Sequence, residues 1–324
     1  MTSPSLTSQP VARASLKRQS RFRRLGTPLL LFVVTLLSTN AVGMRYMHNF
    51  RLGMAPLTSD ADLLPYGWVL SNLREFASGL PFSLTLIGIL LAHEFGHYFA
   101  CRSYGVRATL PYLLPAPTLS GTFGAVIRLR SKVRTRAALI TIAACGPIAG
   151  FVVAMAGVWV GLLLSTYAAL PVVHSLQAPL LMALIHGWMQ TGDPLSLIVP
   201  HPILTASWIG ILITSLNLIP AGQLDGGHIM YAISPGAHRR SSRIVTGSLL
   251  ALGVISWVGW ILWGLVLLMP SMRHPAVPDV APVRRATWVL VPICAVIFVL
   301  AFTFQPFHGY SLLDVGHKLA RRYR

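Results

Sequence analysis

Six apolar runs, each near the roughly 20 residues that carry a helix across a bilayer, leave this chain few folds to choose from. They lie near residues 25–44, 79–100, 137–166, 202–224, 244–270 and 286–304. Only 10% of the 324 residues are charged, against about 25% in a soluble domain. A backbone placed in lipid must satisfy its own polar groups, and helices do so within one segment. The expected fold is an all-α polytopic membrane protein with about six transmembrane helices.

The formal net charge is +18. In a soluble protein that would suggest nucleic acid, but in a membrane protein the position of the charge matters more than its sum. With the N-terminus in the cytoplasm, 20 of the 26 Lys and Arg fall on the cytoplasmic side and 6 opposite. The bias predicts both termini inside and no nucleic-acid partner. Residues 1–24 and 305–324 read as basic cytoplasmic tails that set topology and attract anionic lipid, around a membrane domain at 25–304. The basic, Ser-rich start also looks like an organelle transit peptide, but no clear cleavage site follows it, which favours an uncleaved first span. Arg outnumbers Lys 23 to 3, which fits a GC-rich bacterial genome. The expected location is a bacterial cytoplasmic membrane. Cys101, Cys145 and Cys294 lie in or beside apolar segments and imply no disulfide framework.

Two stretches break the pattern. Residues 171–190, "PVVHSLQAPLLMALIHGWMQ", are apolar but read as a short interfacial or re-entrant helix. A seventh span there would put Arg239, Arg240 and Arg243 outside. Residues 106–131, "VRATLPYLLPAPTLSGTFGAVIRLRS", hold three prolines and then glycines, so a continuous helix is excluded. They predict a β-hairpin-like loop between the second and third spans, re-entrant from the cytoplasmic side. Such backbone is tolerated at membrane depth only where protein or water satisfies it.

The second run contains "His93-Glu94-Phe95-Gly96-His97". Residues four apart share a helix face, so both imidazoles can meet one metal ion. Glu94 is turned about 100° away, the placement of a general base beside a zinc site. A catalytic zinc needs a third protein ligand. No Glu follows Glu94, and the positions a longer metzincin pattern would need hold Ala100 and Ser103. Of the eight acids, only Glu94 and Asp225 fall in apolar stretches of membrane depth. Asp225 follows the fourth span, which runs in the same direction as the second. Both motifs therefore reach similar depth, and elimination and topology select the same third ligand.

Asp225 lies in "NLIPAGQLDGGH", where Pro220 and Gly222, Gly226 and Gly227 predict a broken helix. Asn217 could donate to a developing oxyanion or could simply bond between helices. His228 reads as a supporting or structural group beside the ligands rather than a fourth ligand. Gly146 and Gly150, four apart, read as a helix-packing motif.

Taken together, "HEFGH", "GTFGAVIRLRS", "GPIAG" and "NLIPAGQLDGGH" resemble the site-2 protease family over roughly residues 79–235. The Pro-rich hairpin is most similar to a subgroup with bacterial and chloroplast members. The resemblance implies an intramembrane zinc endopeptidase with one Zn2+ per chain. It would cleave transmembrane segments of protein substrates, typically pre-cleaved by another protease, in regulated intramembrane proteolysis. By position, His93, His97 and Asp225 match the metal ligands, Glu94 the catalytic base, and Asn217 a residue linked to substrate or transition-state binding. Many members carry a PDZ or other regulatory domain, for which these 324 residues have no room. A membrane protease for prenylated C-termini would need a downstream Glu ligand. A metal transporter would need polar groups along several spans. A catalytically inactive scaffold that binds membrane helices is the alternative reading.

Overall fold

The computed structural model describes residues 9–58, 62, 64–169, 176–189, 192–277, 283–308 and 310–314, with the backbone alone over 9–25. The Lys and Arg residues of both expected tails lie outside the described side chains. The chain is mostly helical. Among the described residues, three segments are long and apolar enough to cross a membrane: Gly26–Arg51, Leu73–Ser103 and Arg136–Leu164. The first belongs to α1 (Gln9–Arg51), the second ends in α3 (Leu80–Ser103), and the third is α4 (Arg136–Leu164). A one-turn helix, α2 (Tyr66–Ser71), lies between the first two.

Glycines set how these helices meet. A Cβ at Gly43 of α1 would strike the Gly79 carbonyl and Phe82 at the start of α3. A Cβ at Gly96 of α3 would overlap the Cys145 carbonyl of α4. On α4, Gly157 and Gly161 press against Ser207 and Leu204 of α6 (Pro202–Asn217), and Gly210 of α6 meets Ile89 of α3. Small residues let helix backbones approach closely where the hydrophobic effect gives no advantage over lipid. The contacts place α3 antiparallel to α4, and α4 antiparallel to α6. The end of α3, the start of α4 and the end of α6 therefore share one end of the bundle.

Residues 106–131 contain a β-hairpin. Strand β1 (Tyr112–Pro115) pairs antiparallel with β2 (Thr122–Val126), Tyr112 opposite Val126, with a register shift at Leu114/Pro115. Its tip reaches along α1, where Ser38 Oγ donates to the Gly121 carbonyl and Tyr46 OH to the Leu119 carbonyl, both at 2.6 Å. Gly121 and Gly124 have φ of +75° and +108°, backbone that only glycine adopts freely.

Residues 171–190 contain α5 (Leu180–Trp188), nine residues and so roughly 13 Å long, too short to cross. At the same end of the bundle β3 (Thr166–Tyr167) pairs with β4 (Ile198–Val199). Residues 170–175 and 190–191 lie outside the described residues.

The fourth run ends sooner than its apolar length suggests. Helix α6 stops at Asn217, and α7 (Asp225–Ile233) begins after a break containing Pro220 and Gly222. Glycines let α7 tuck beneath that break: a Cβ on Gly226 would overlap the Leu218 carbonyl, and one on Gly227 would crowd that of Ala221. Arg136 closes the other end of α7 by donating to the Ala232 and Ile233 carbonyls at 2.6 and 3.1 Å.

The fifth run departs from expectation. Instead of one crossing over 244–270, α8 (Pro235–Ile255) turns back at Ser256–Val258 into α9 (Gly259–Leu268). Gly253 lies against Ile261 and Gly264 against Leu250, so the two helices form an antiparallel hairpin. The turn is satisfied from a distance. Trp260 Nε1 donates to the Phe304 carbonyl at 2.8 Å, Ser256 Oγ donates to the same oxygen, and the Val258 amide bonds the Tyr310 carbonyl at 2.9 Å. Residues 270–277 are thereby returned to the end that holds Asp225, not to the opposite side. A short helix, α10 (Arg285–Trp288), and α11 (Leu290–Ala301) then lead away, and residues 302–308 and 310–314 pack at the other end. The expectation that both termini share one side concerns residues 1–8 and 315–324, which lie outside the described residues.

Trp260 is fully buried and ties the α8–α9 turn to the C-terminal segment. Substituting Trp260 by Ala should cost about 3–5 kcal/mol of stability. Denaturant unfolding of the detergent-solubilised protein would measure it.

Candidate metal centre

The last turns of α3 carry His93, Glu94 and His97, all buried. His93 and His97 present Nε2 atoms 3.1 Å apart. Asp225, the first residue of α7, brings Oδ2 to 3.3 Å from His93 Nε2 and 3.4 Å from His97 Nε2. Among the described residues this is the group of three that could hold a metal ion. His97 Nδ1 lies 2.7 Å from the Ile142 carbonyl, which can only accept. Nδ1 therefore carries the proton and Nε2 presents a lone pair to the cluster.

Three acceptors facing one another in a buried site need a shared cation. Ligands about 2.0–2.1 Å from a tetrahedral zinc stand roughly 3.3 Å from each other. The three separations fit that spacing, and a His-His-Asp donor set suits zinc.

The Gly146–Gly150 packing motif serves this cluster directly. A Cβ on Gly146 would fall inside the His97 ring, and one on Gly150 would lie 3.1 Å from His93 Cβ. Each imidazole lies against bare α4 backbone.

Asn217, the last residue of α6, lies with its Nδ2 3.4 Å from His93 Nε2. The structure thus brings together all five residues selected from the sequence. It also adds groups the sequence did not reveal. The backbone amide of Ile127, just past β2, faces the Glu94 carboxylate. His228 stays out of the ligand cluster and bonds His274 at 2.8 Å. His274 had no local signal, because a 244–270 crossing would have put it on the far side. An open cavity of about 870 Å³ spans this region, and Ala125–Ile127, Leu129 and His274–Val277 all contribute to its lining.

Residues 81–258 match the model of the family described as Peptidase family M50. The chain is similar to the probable zinc metalloprotease EGY1, chloroplastic, of Arabidopsis thaliana, 32% identical over 253 residues, covering 74% of this chain and 45% of that protein. The EGY1 protein of Oryza sativa subsp. japonica is 30% identical over 251 residues, covering 74% and 42%. The probable zinc metalloprotease EGY2, chloroplastic, of Arabidopsis thaliana is 30% identical over 216 residues, covering 64% and 38%. The chain spans less than half the length of these relatives.

Gly146→Ala should force the His97 ring aside and lower zinc affinity by about 10–100-fold, the range seen when groups supporting a ligand are lost. Asp225→Ala should abolish stoichiometric zinc. Metal analysis of the purified variants checks both, and full occupancy in Asp225→Ala would remove Asp225 from the ligand set.

Proposed function

Because this chain belongs to peptidase family M50, we propose that it is a zinc endopeptidase that hydrolyses peptide bonds within transmembrane segments of other proteins. The observation that carries this reading is the convergence of His93, His97 and Asp225 beside a buried carboxylate, inside an apolar helix bundle. Zinc held by those three residues would supply Lewis-acid activation of water and of the scissile carbonyl.

The remaining work falls to the chain itself. Glu94 stands one residue from a ligand, able to take a proton from the attacking water and return it to the leaving amine. The amide of Asn217 is placed to donate to the oxygen that gains charge. Opposite them, the end of β2 offers a strand against which an unwound substrate can lie by edge addition. Intact ligands and base argue against an inactive scaffold.

The same reading gives an orientation. Thirteen Lys and Arg with described side chains lie toward the Asp225 end, at 102–136, 239–243, 273 and 284–285, whereas Arg45, Arg51 and Arg74 lie toward the other. The positive-inside bias makes the Asp225 end cytoplasmic. We count five crossings (α1, α3, α4, α6 and α10–α11), with the hairpin at 106–131 and the α8–α9 hairpin both entering from the cytoplasmic face. The substrate is a membrane protein trimmed beforehand by another protease, in regulated intramembrane proteolysis, and the surrounding partner is the lipid bilayer.

Glu94→Gln should retain full zinc but lose cleavage by at least a hundredfold. The assay compares membrane proteomes of cells with wild-type and variant enzyme and seeks a fragment seen only with the former. Normal cleavage by the variant would sink the role given to Glu94. Single cysteines at Lys132 and Leu313, on a background without the native ones, should react with an impermeant maleimide from opposite sides of the membrane. Labelling of both from one side would restore a sixth crossing.

A further inference from the structure

The segment after α9 is held against the catalytic helix by three side chains from α7 and the break before it. Gln223 Nε2 donates to the Ser271 carbonyl and, at 2.8 Å, to that of Arg273. The His274 ring stacks on Tyr231, centroids 3.8 Å apart and planes within 9°. His228 Nδ1 and His274 Nε2 are 2.8 Å apart, and His274 Nδ1 lies 2.7 Å from the Pro275 carbonyl.

These distances fix the direction of the chain of hydrogen bonds. The Pro275 carbonyl only accepts, so His274 Nδ1 bears the proton and its Nε2 accepts. His228 Nδ1 must then be the donor. His228 stands one helical turn beyond Asp225, so the latch joins this segment to the helix that carries a metal ligand.

His274–Val277 lines the same cavity as Ala125–Ile127 and Leu129. Among the described residues, neither Ala276 nor Val277 has a backbone hydrogen bond. Backbone groups left open beside a cleft are what an extended peptide can pair with. The segment also lies beyond residue 258, where the family match ends.

We propose that His274–Val277 is the second wall of the substrate cleft, facing the end of β2, and that His274 is the positioning residue locking it to α7. The wall takes an extended peptide, which lies between it and the hairpin. The inference rests on the protease reading above.

Two hydroxamates separate wall from metal. Acetohydroxamate reaches only the metal, whereas the hydroxamate of the tripeptide Leu-Phe-Leu must also lie along the cleft. Binding of each is measured on the zinc-loaded full chain in detergent. His274→Ala should weaken the tripeptide hydroxamate by about tenfold or more while sparing acetohydroxamate affinity and zinc content. His274→Gln, whose amide can again accept from His228, should recover most of the loss. Ala276→Trp, which leaves the latch intact but fills the exposed wall, should weaken the tripeptide alone. Unchanged tripeptide affinity in both His274→Ala and Ala276→Trp would overturn the wall. Equal weakening of both hydroxamates, or no recovery in His274→Gln, would remove the positioning role. Wild-type protein that takes up zinc yet binds neither hydroxamate would overturn the protease reading and the wall with it.

Discussion

Two imidazole lone pairs and a carboxylate oxygen, held within 3.4 Å of one another in an apolar bundle, are the arrangement around which this protein is built. The three side chains are mostly buried, so their charges and lone pairs are poorly screened and repel one another more than they would in water. A divalent cation converts that repulsion into attraction. Without rigid supports the three side chains would simply turn apart. The supports begin in the hydrogen-bonded backbone: His93 and His97 are set by α-helical spacing, and Asp225 is fixed where a new helix starts.

Close helix packing makes the supports rigid. The α3–α4 approach needs Gly96 on one helix and Gly146 on the other, and the same approach brings the Ile142 carbonyl within 2.7 Å of His97 Nδ1. One contact therefore does two jobs: it seals the bundle and selects the ligand tautomer. Gly226 and Gly227 do the corresponding work for Asp225, because α7 can start beneath the broken end of α6 only where no Cβ intervenes. The glycines of "HEFGH", "GPIAG" and "LDGGH" are thus part of the metal site although none touches a metal.

The site was legible in the sequence because its signals are local or subtractive. Helical spacing pairs His93 with His97, and the scarcity of acids leaves Asp225. Pro220 marks the break in the fourth run, and the prolines and glycines of 106–131 mark the hairpin. The reversal at Ser256–Val258 was not legible. Hydropathy records that residues are buried but not which way the chain runs. A turn inside an apolar run is ordinarily betrayed by Pro or polar residues that satisfy its open backbone. Here the carbonyl that satisfies the Val258 amide belongs to Tyr310, about fifty residues on, and the Ser256 and Trp260 side chains donate to the nearby Phe304 carbonyl. With the reversal hidden, a single crossing over 244–270 would carry His274 to the opposite side, so its bond to His228 could not be foreseen.

That hidden reversal gives the cleft its character. A transmembrane helix bonds its own amides and offers nothing to a partner strand. One flank of the cavity lining is the end of β2, and another is the irregular segment after α9. Both flanks are non-helical, which lipid tolerates only because the bundle and the cavity surround them. A helical substrate would leave their open backbone groups unpaired, at a cost of about 1–3 kcal/mol for each buried one. An unwound strand would satisfy them. On the proposed protease reading, the cleft would favour segments already prone to lose helix, such as those interrupted by Gly or Pro, over stable spans of equal hydrophobicity.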